Sequence, residues 1–438
     1  MGSKVTMSER TITPQFVDEE TQVPPRPAVE RPSLTFFNTL DKPILFITGL
    51  LLSIGVMMVF STTFDWSLQD YGNETTIMMM HVQNVLIGVA VMVIFSWIDI
   101  RLIKRFAPLI MLSALSFLIA VWLFGDDTFG ARRALIRGRF QPGEFSELAV
   151  IIYLAAWLGS KNTNVKSFTQ GLIPFTIIIM VVIGLALLQP DLSVAVTVLL
   201  TGSILFFLAG ADTRQIGIIL VILVLTGLAA IPILEEIAPY ALNRIDPWIA
   251  SLTDLTQAHP HTMQAAIAFS YGGWTGVGLG ESQAKFRALP APHTDSIFAV
   301  IGEELGVIGA CLVILLYVSL FLRGIYIARQ SISPFTMLLS SGLTIWIVAK
   351  ATLNIAVMTS LIPPAGLPLP LVSYGGSSLV VLMAGIGLLL SIQRQNIAHQ
   401  NSITERRNPV ANYDRSRGNR RTRLSRTSDR PSDTPDQA

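Results

Sequence analysis

The chain has 438 residues, 51% of them hydrophobic and only 14% charged, with a mean hydropathy of +0.57. Soluble globular chains carry about 25% charged residues, so this composition excludes a string of soluble domains and points to a polytopic membrane protein. A net charge of +2 gives no reason to expect nucleic acid as a partner, and the lone cysteine, Cys311, excludes an intrachain disulfide or a cysteine metal site.

Residues 1–41 are polar, include PPRPAVERP, and lack the basic start and apolar core of a secretory signal. A disordered cytoplasmic tail is expected there. Apolar runs long enough to cross a bilayer then recur at 43–62, 78–98, 106–124, 145–160, 171–188, 193–211, 215–234, 296–322, 334–360 and 374–393. The fold class expected is an all-α polytopic membrane protein of about ten transmembrane helices over 42–396. A large outer loop lies between helices 7 and 8, and a disordered, Arg-rich cytoplasmic tail covers 397–438.

Charge sets the orientation. Arg101, Lys104 and Arg105 follow the second run, Lys161 and Lys166 the fourth, Arg214 the sixth, and Arg323 and Arg329 the eighth. The positive-inside rule then places these loops and both termini in the cytoplasm, in a cytoplasmic (inner) membrane protein. The loop 125–144 (GDDTFGARRALIRGRFQPGE) breaks the rule by placing Arg132, Arg133, Arg137 and Arg139 outside. An Arg fork matches phosphate oxygens, so an anionic ligand at the outer face is the natural counterpart.

The outer segment 235–295 contains YGGWTGVGLGE. Its glycines lack GK[ST], GxGxxG spacing and a preceding strand, so they read as turn and close-packing residues rather than a phosphate loop. Next comes LPAPHTDSIFAVIGEELG (289–306). Asp295 stands where an Asp caps a helix, while Glu303 lies inside an apolar run, where a carboxylate must face the bundle or a wet cavity. Four-residue spacing puts Asp295, Ala299, Gly302, Glu303 and Gly306 on one face, an acidic stripe leading inward. Glu304 is turned about 100° away, so the two glutamates are expected not to share a partner. Gln189-Pro190-Asp191 and LIPPAGLPLPLVSYGGSS (361–378) close two further spans at the same side. Both read as turns, yet they add polar groups around the basic loop.

GARR (130–133), QPGEFSEL (141–148), QPDLSVAV (189–196), PHTDSIFAVIGEELGVIG (292–309) and LNIAVMTSLIPPAGLPLPLVSYGGSS (353–378) resemble, in order, the signature blocks of the SEDS family, the FtsW/RodA/SpoVE proteins. The resemblance spans 43–396 and implies a ten-helix fold and peptidoglycan glycosyltransferase activity. It implies lipid II, an undecaprenyl-diphosphate-linked disaccharide-peptide, as substrate, and a class B penicillin-binding protein with divisome or elongasome proteins as partners. No cofactor and no metal ligand is implied, and divalent-cation dependence stays open.

The family's essential aspartate falls on Asp295, which would take the proton from the acceptor 4-hydroxyl. Arg132 and Arg133 would stabilise the departing diphosphate. Gln141, Glu144, Gln189, Asp191, Gln264, His293, Glu303, Ser373 and Ser377 complete the substrate-binding set. Departures from the family pattern are Glu147 where Lys is usual, Lys350 where Gln is usual, Ser193-Val194 for Gly-Thr, Ala134 for Trp and Ser296 for Phe. The first two read as a paired exchange, an ion pair inside the bundle. Alternatives are a lipid II flippase and a weakly active scaffold for the penicillin-binding protein. Asp295→Asn separates them, since only a polymerase depends on that carboxylate.

Overall fold

The computed structural model describes residues 40–128, 131–134, 141–161, 163–215, 217–219, 221, 246–251, 259–287 and 289–407, with the backbone alone at 126–128, 131–134, 287 and 404–407. Helix α1 (Lys42–Tyr71) opens where the Asp41 side chain accepts from Ile44 N at 3.1 Å and Pro43 occupies the first turn. It ends at Gly72, whose left-handed φ of 67° lets its N–H reach Leu68 O at 2.9 Å. Thirty residues give about 45 Å of helix, more than a hydrocarbon core of about 30 Å, so the last turns of α1 stand clear of the apolar layer.

Helices α2 (Thr76–Trp97) and α3 (Ile100–Phe124) follow, the latter capped by Asp99. A short antiparallel pair, β1 (Asp126–Thr128) and β2 (Ala131–Ala134), interrupts the all-helical pattern and carries Arg132 and Arg133 on β2. Then come α4 (Pro142–Leu158), a π-turn at Phe168–Leu172 leading into α5 (Ile173–Leu187), and α6 (Leu192–Leu208), capped by Asp191. The second half holds α7 (Pro260–Gly272), α8 (Ala284–Arg287), α9 (Ile297–Glu304), α10 (Gly306–Arg329), α11 (Pro334–Met358) and α12 (Ser377–Arg407). Helix α12 is 83% buried over its apolar window and α2 only 22%, which makes α12 the central post and α2 a lipid-facing stave.

Among the described residues, seven helices are long and apolar enough to cross a membrane: α1, α2, α3, the π-turn with α5, α10, α11 and α12. Of the other three runs, α4 and α6 have 17 residues each, and most of 215–234 lies outside the described residues. Helix α12 runs on to Arg407, past residue 396, while 1–39 and 408–438 lie outside the described residues.

The eighth run is two helices rather than one. Gly306 has φ 66°, and a Cβ there would lie 2.4 Å from Gly276 N. The break exists because the strap 273–278 lies across it and exchanges backbone bonds with both sides. Val277 N and Gly278 N donate to the Glu303 and Glu304 carbonyls (3.0 and 3.1 Å), and the Gly273 and Trp274 carbonyls accept from Val307 N and Ile308 N (3.0 and 3.2 Å). Four backbone groups freed by the break are thereby satisfied. Of the glycines of YGGWTGVGLGE, Gly272 and Gly276 pack where a Cβ would collide with the Gly302 and Glu304 carbonyls, while Gly273, Gly278 and Gly280 serve as positive-φ turn residues.

The bundle has two distinct ends. At one, Arg323 forks onto Asp41 (2.7–3.1 Å), Arg394 Nη2 reaches Trp97 O (3.0 Å) and Lys104 stands over the Phe335 ring. At the other lie Asp295, the start of α4 and the start of α12.

Candidate functional site

Two elements meet Asp295 directly, the loop at Gly366 and α11, and α6 stands behind Gly366. Its carboxylate lies against Gly366, where a Cβ would meet Oδ2 at 3.2 Å. Gly366 O in turn accepts from Ser193 Oγ on α6 at 2.8 Å. Asn354 Nδ2 on α11 donates to Asp295 O (2.7 Å) and Leu367 O (2.5 Å), pinning the peptide that carries the carboxylate to the loop beside it. Asp295 is half-buried and is not the helix cap: Ser296 takes that position, its hydroxyl on Pro290 O (2.6 Å) and against His261 Nε2. The N-cap position considered for Asp295 is therefore held by its neighbour, whose hydroxyl makes no capping bond to the helix.

The second wall is the start of α4. Gly143 packs so closely that a Cβ would meet Val194 at 2.8 Å and Asp191 Oδ2 at 3.3 Å, which sets Asp191 against the first turn of α4. Lys350 Nζ reaches Glu144 Oε2 (2.5 Å) and Glu147 Oε2 (2.9 Å), and Trp346 Nε1 donates to the same Glu147 oxygen (2.7 Å). Lys350 and Glu147 are each 1% exposed and Glu144 7%. The ion pair expected from the exchanged residues is present, with Glu144 as an unexpected third member. Glu147 Oε1 has no hydrogen-bond partner among the described residues.

The inward acidic stripe is not there. The α9 face at Gly302 is filled by Phe269 of α7, whose ring a Cβ would meet at 2.3 Å, and Gly306 lies beyond the helix break. Glu303 borders a cavity of about 290 Å³ lined by Tyr271, Val277, Glu281 and Gln283, yet it is 1% exposed. It accepts from Ser282 Oγ, Gln283 N (2.9 Å) and Ala284 N (3.3 Å). Glu304 accepts from Ser61 Oγ (2.6 Å), Lys285 Nζ (2.8 Å) and Ser282 N (3.4 Å). The two glutamates do share a partner, Ser282, because the strap beyond α7 folds over both, so the expectation from helical angle fails. Glu303 is an anchor for the segment leading to Asp295.

The remaining residues divide between support and access. Ser373 Oγ donates to Thr294 O (2.6 Å) and accepts from Leu369 N (2.8 Å), and Tyr374 N donates to His293 O (2.8 Å), so the loop 368–374 clamps the residues just before Asp295. The His293 ring lies tilted against Trp66 (4.8 Å) and edge-on to Tyr374 (5.9 Å), and burial lowers its imidazole to about 4. Gln189 is 2% exposed and spends its amide on Leu118 O (2.7 Å), which ties α5 to α3. Gln141 N donates to Ser377 Oγ at 3.2 Å, joining the starts of α4 and α12, and Gln264 is half-buried on α7. The side chains of Arg132 and Arg133, with Arg137 and Arg139, lie outside the described residues. The sequence reading missed Asn354, Ser193, His261 and Lys285 as site builders. One signal was available: Trp346, Lys350 and Asn354 recur every four residues along an apolar helix.

The family model described as a cell cycle protein (FtsW, RodA, SpoVE) matches residues 42–398. A probable peptidoglycan glycosyltransferase FtsW of Geobacter sulfurreducens is 34% identical over 359 residues, covering 80% of this chain and 94% of its own. Stage V sporulation protein E of Bacillus subtilis is 34% identical over 360 residues (81% and 97%). Peptidoglycan glycosyltransferase MrdB of Escherichia coli K12 is 34% identical over 348 residues (78% and 92%). Among solved structures, a chain of a peptidoglycan synthase complex superposes with a TM-score of 0.66 at 24% identity, covering 82% of this chain and 98% of that one. The rod shape determining protein RodA of Thermus thermophilus gives 0.59, also at 24% (82% and 97%). The fold, the span of the match and the identity agree: the chain belongs to the FtsW/RodA/SpoVE family of cell cycle proteins.

Proposed function

We propose that this membrane protein is a peptidoglycan glycosyltransferase that polymerises lipid II at the bundle end carrying Asp295. The observation that carries the reading is the meeting of Asp295 with Gly366 and Asn354, brought from separate elements, with Ser193 of α6 behind Gly366 and the Glu144–Lys350 ion pair one helical turn from Asn354. Relatives named peptidoglycan glycosyltransferases align over 78–80% of the chain.

In this reading Asp295 accepts the proton of the acceptor 4-hydroxyl while that oxygen forms its bond to the donor's anomeric carbon. The bond from that carbon to the diphosphate breaks, and the diphosphate leaves with the electron pair. Arg132 and Arg133, on β2 immediately ahead of α4, are the cations assigned to that charge. The site end is read as facing outward across the cytoplasmic membrane, since the positive-inside rule assigns the loops that hold Arg101, Lys104, Lys161 and Arg323 to the cytoplasmic side. Class B penicillin-binding proteins, with divisome or elongasome proteins, are its assigned partners.

The test is polymerisation of purified lipid II by the reconstituted protein, with and without a class B penicillin-binding protein. Asp295→Asn is expected to insert normally and lose about 10²–10⁴ in rate, as for a general base. Loss below about tenfold, less than a general base contributes, would return the protein to a transport or scaffold role.

A further inference from the structure

One face of α11 joins the buried charges of α4 to the Asp295 peptide. Trp346 donates to Glu147, Lys350 to Glu144 and Glu147, and Asn354 to Asp295 O, each four residues after the last. The three anions and cations of the cluster are not equivalent. Glu144 is the third residue of α4, where the N-terminal end of the helix dipole favours negative charge. Glu147 lies one turn deeper, receives both of its donors on Oε2, and keeps Oε1 without a partner among the described residues. It therefore adds little to α4 itself. Its contribution is to hold the Lys350 ammonium in place beside Glu144.

We infer that the Asp295 site requires one buried ammonium beside Glu144, that Lys350 supplies it from α11 as a positioning residue, and that Glu147 is the anchor that lets the cation come from that helix. Lys350 acts through others. It neutralises and orients Glu144, whose neighbour Gly143 packs on Asp191, and it fixes the helix whose Asn354 holds the Asp295 peptide. Positions 144 and 147 are three residues apart and so share a helical face. A cation planted at 147 would meet Glu144 directly, and neither Glu147 nor Lys350 would then be needed. The inference rests on the glycosyltransferase reading for its activity measurement and not for its stability measurement.

The experiment compares the full-length protein with Lys350→Gln, Lys350→Arg and the relocated pair Glu147→Lys/Lys350→Gln, reading kcat, KM for lipid II and Tm in lipid nanodiscs. Lys350→Gln strands two carboxylates. It is expected to lower Tm and cut kcat about a hundredfold, the scale of a misplaced reacting group. KM should move less than about threefold, because no substrate contact is removed. Lys350→Arg should keep most of the Tm. The relocated pair should regain the Tm and bring kcat back to within about tenfold of the parent, the residue of imperfect repositioning. A relocated pair as inactive and as unstable as Lys350→Gln overturns the inference. So does a KM change as large as the kcat change, which would make Lys350 a direct ligand of the diphosphate. If the parent polymerises nothing, the glycosyltransferase reading fails by itself, and recovery of Tm by the relocated pair still decides whether the cation is movable.

Discussion

The protein buries two carboxylate pairs with a lysine at the same end of its bundle, and it treats them differently. Glu303 and Glu304 are surrounded by donors: the Ser61 and Ser282 hydroxyls, the Ser282, Gln283 and Ala284 amides, and Lys285, whose ammonium also reaches Gly280 O at 2.7 Å. Among the described residues, Glu144 and Glu147 have Lys350 and Trp346 as their donors, and Glu147 Oε1 is unserved. A buried charge held by backbone is spread over many bonds, and loss of one side chain leaves the rest in place. A buried charge held by one lysine depends on that lysine. The first arrangement belongs to the fold, and the second, one helical turn from Asn354 and the Asp295 peptide, belongs to the site.

The comparison breaks most completely if the strap is lifted off α9. At Gly276 the backbone has φ 80°, and a Cβ would stand 2.1 Å from Glu304 O. Gly276→Ala combines left-handed strain of about 1–3 kcal/mol with overpacking of about 1–3 kcal/mol. The expected outcome is a sharply lower Tm together with fast hydrogen exchange over 273–287. A Tm within a degree of the parent would show that the strap is not what organises the carboxylates.

Removing each lysine sharpens the contrast. Lys350→Gln leaves two buried carboxylates without a cation and should cost about 3–5 kcal/mol. Lys285→Gln leaves Glu304 with Ser61 and Ser282 and Glu303 with its full set, so the loss should be about 1–3 kcal/mol, the cost of one charged bond. Chemical denaturation of both variants in the same lipid gives the ratio directly, and equal losses would erase the distinction between the two clusters.

What the sequence made legible follows from the range of the forces involved. Apolar runs and caps are local, and α1, α2, α3 and α11 appear where hydropathy puts them, with Asp41, Asp99 and Ser333 capping α1, α3 and α11. The Glu147–Lys350 pair was also legible, because two opposite charges in apolar helices are each too costly to stand alone. The break at Leu305 was not. It depends on hydrogen bonds exchanged with a strap about thirty residues away, and the apolar run across it reads as continuous. For the same reason Glu303, Gln189 and Ser373 look like substrate contacts in sequence and are engaged in holding loops and helices together.

Acid should act on the loop that clamps the site. His293 titrates at about 4 rather than 6.5 because burial disfavours its charged form. Between those values the unfolded chain binds more protons than the folded one, so stability rises with pH there. The contribution is complete above about 6.5 and is lost progressively as the pH falls toward 4. Tm measured from pH 7.5 to 4 should fall more steeply for the parent than for His293→Gln, which has no proton to take up. Parallel curves would mean that His293 is charged in the folded protein or does not titrate in this range.

The smallest expected effect concerns the hydroxyl that bridges α6 to the Asp295 loop. Ser193 donates to Gly366 O at 2.8 Å, and Gly366 is the residue against which the Asp295 carboxylate lies. Ser193→Gly removes one partly buried neutral hydrogen bond, worth about 0.5–1.5 kcal/mol, and adds the helix penalty of glycine, about 1 kcal/mol relative to alanine. Position 193 is the second residue of α6, where the missing hydroxyl leaves Gly366 O within reach of water, so the penalty for an unsatisfied acceptor is small. The Asp295 peptide keeps its other tether, Asn354. Lipid II turnover should therefore fall by no more than about threefold, far below the hundredfold of a lost positioning group. A loss as large as that of Lys350→Gln would show that the carboxylate is placed from α6 rather than from α11. The cluster beneath Asn354 would then be a stability element like the one around Glu303.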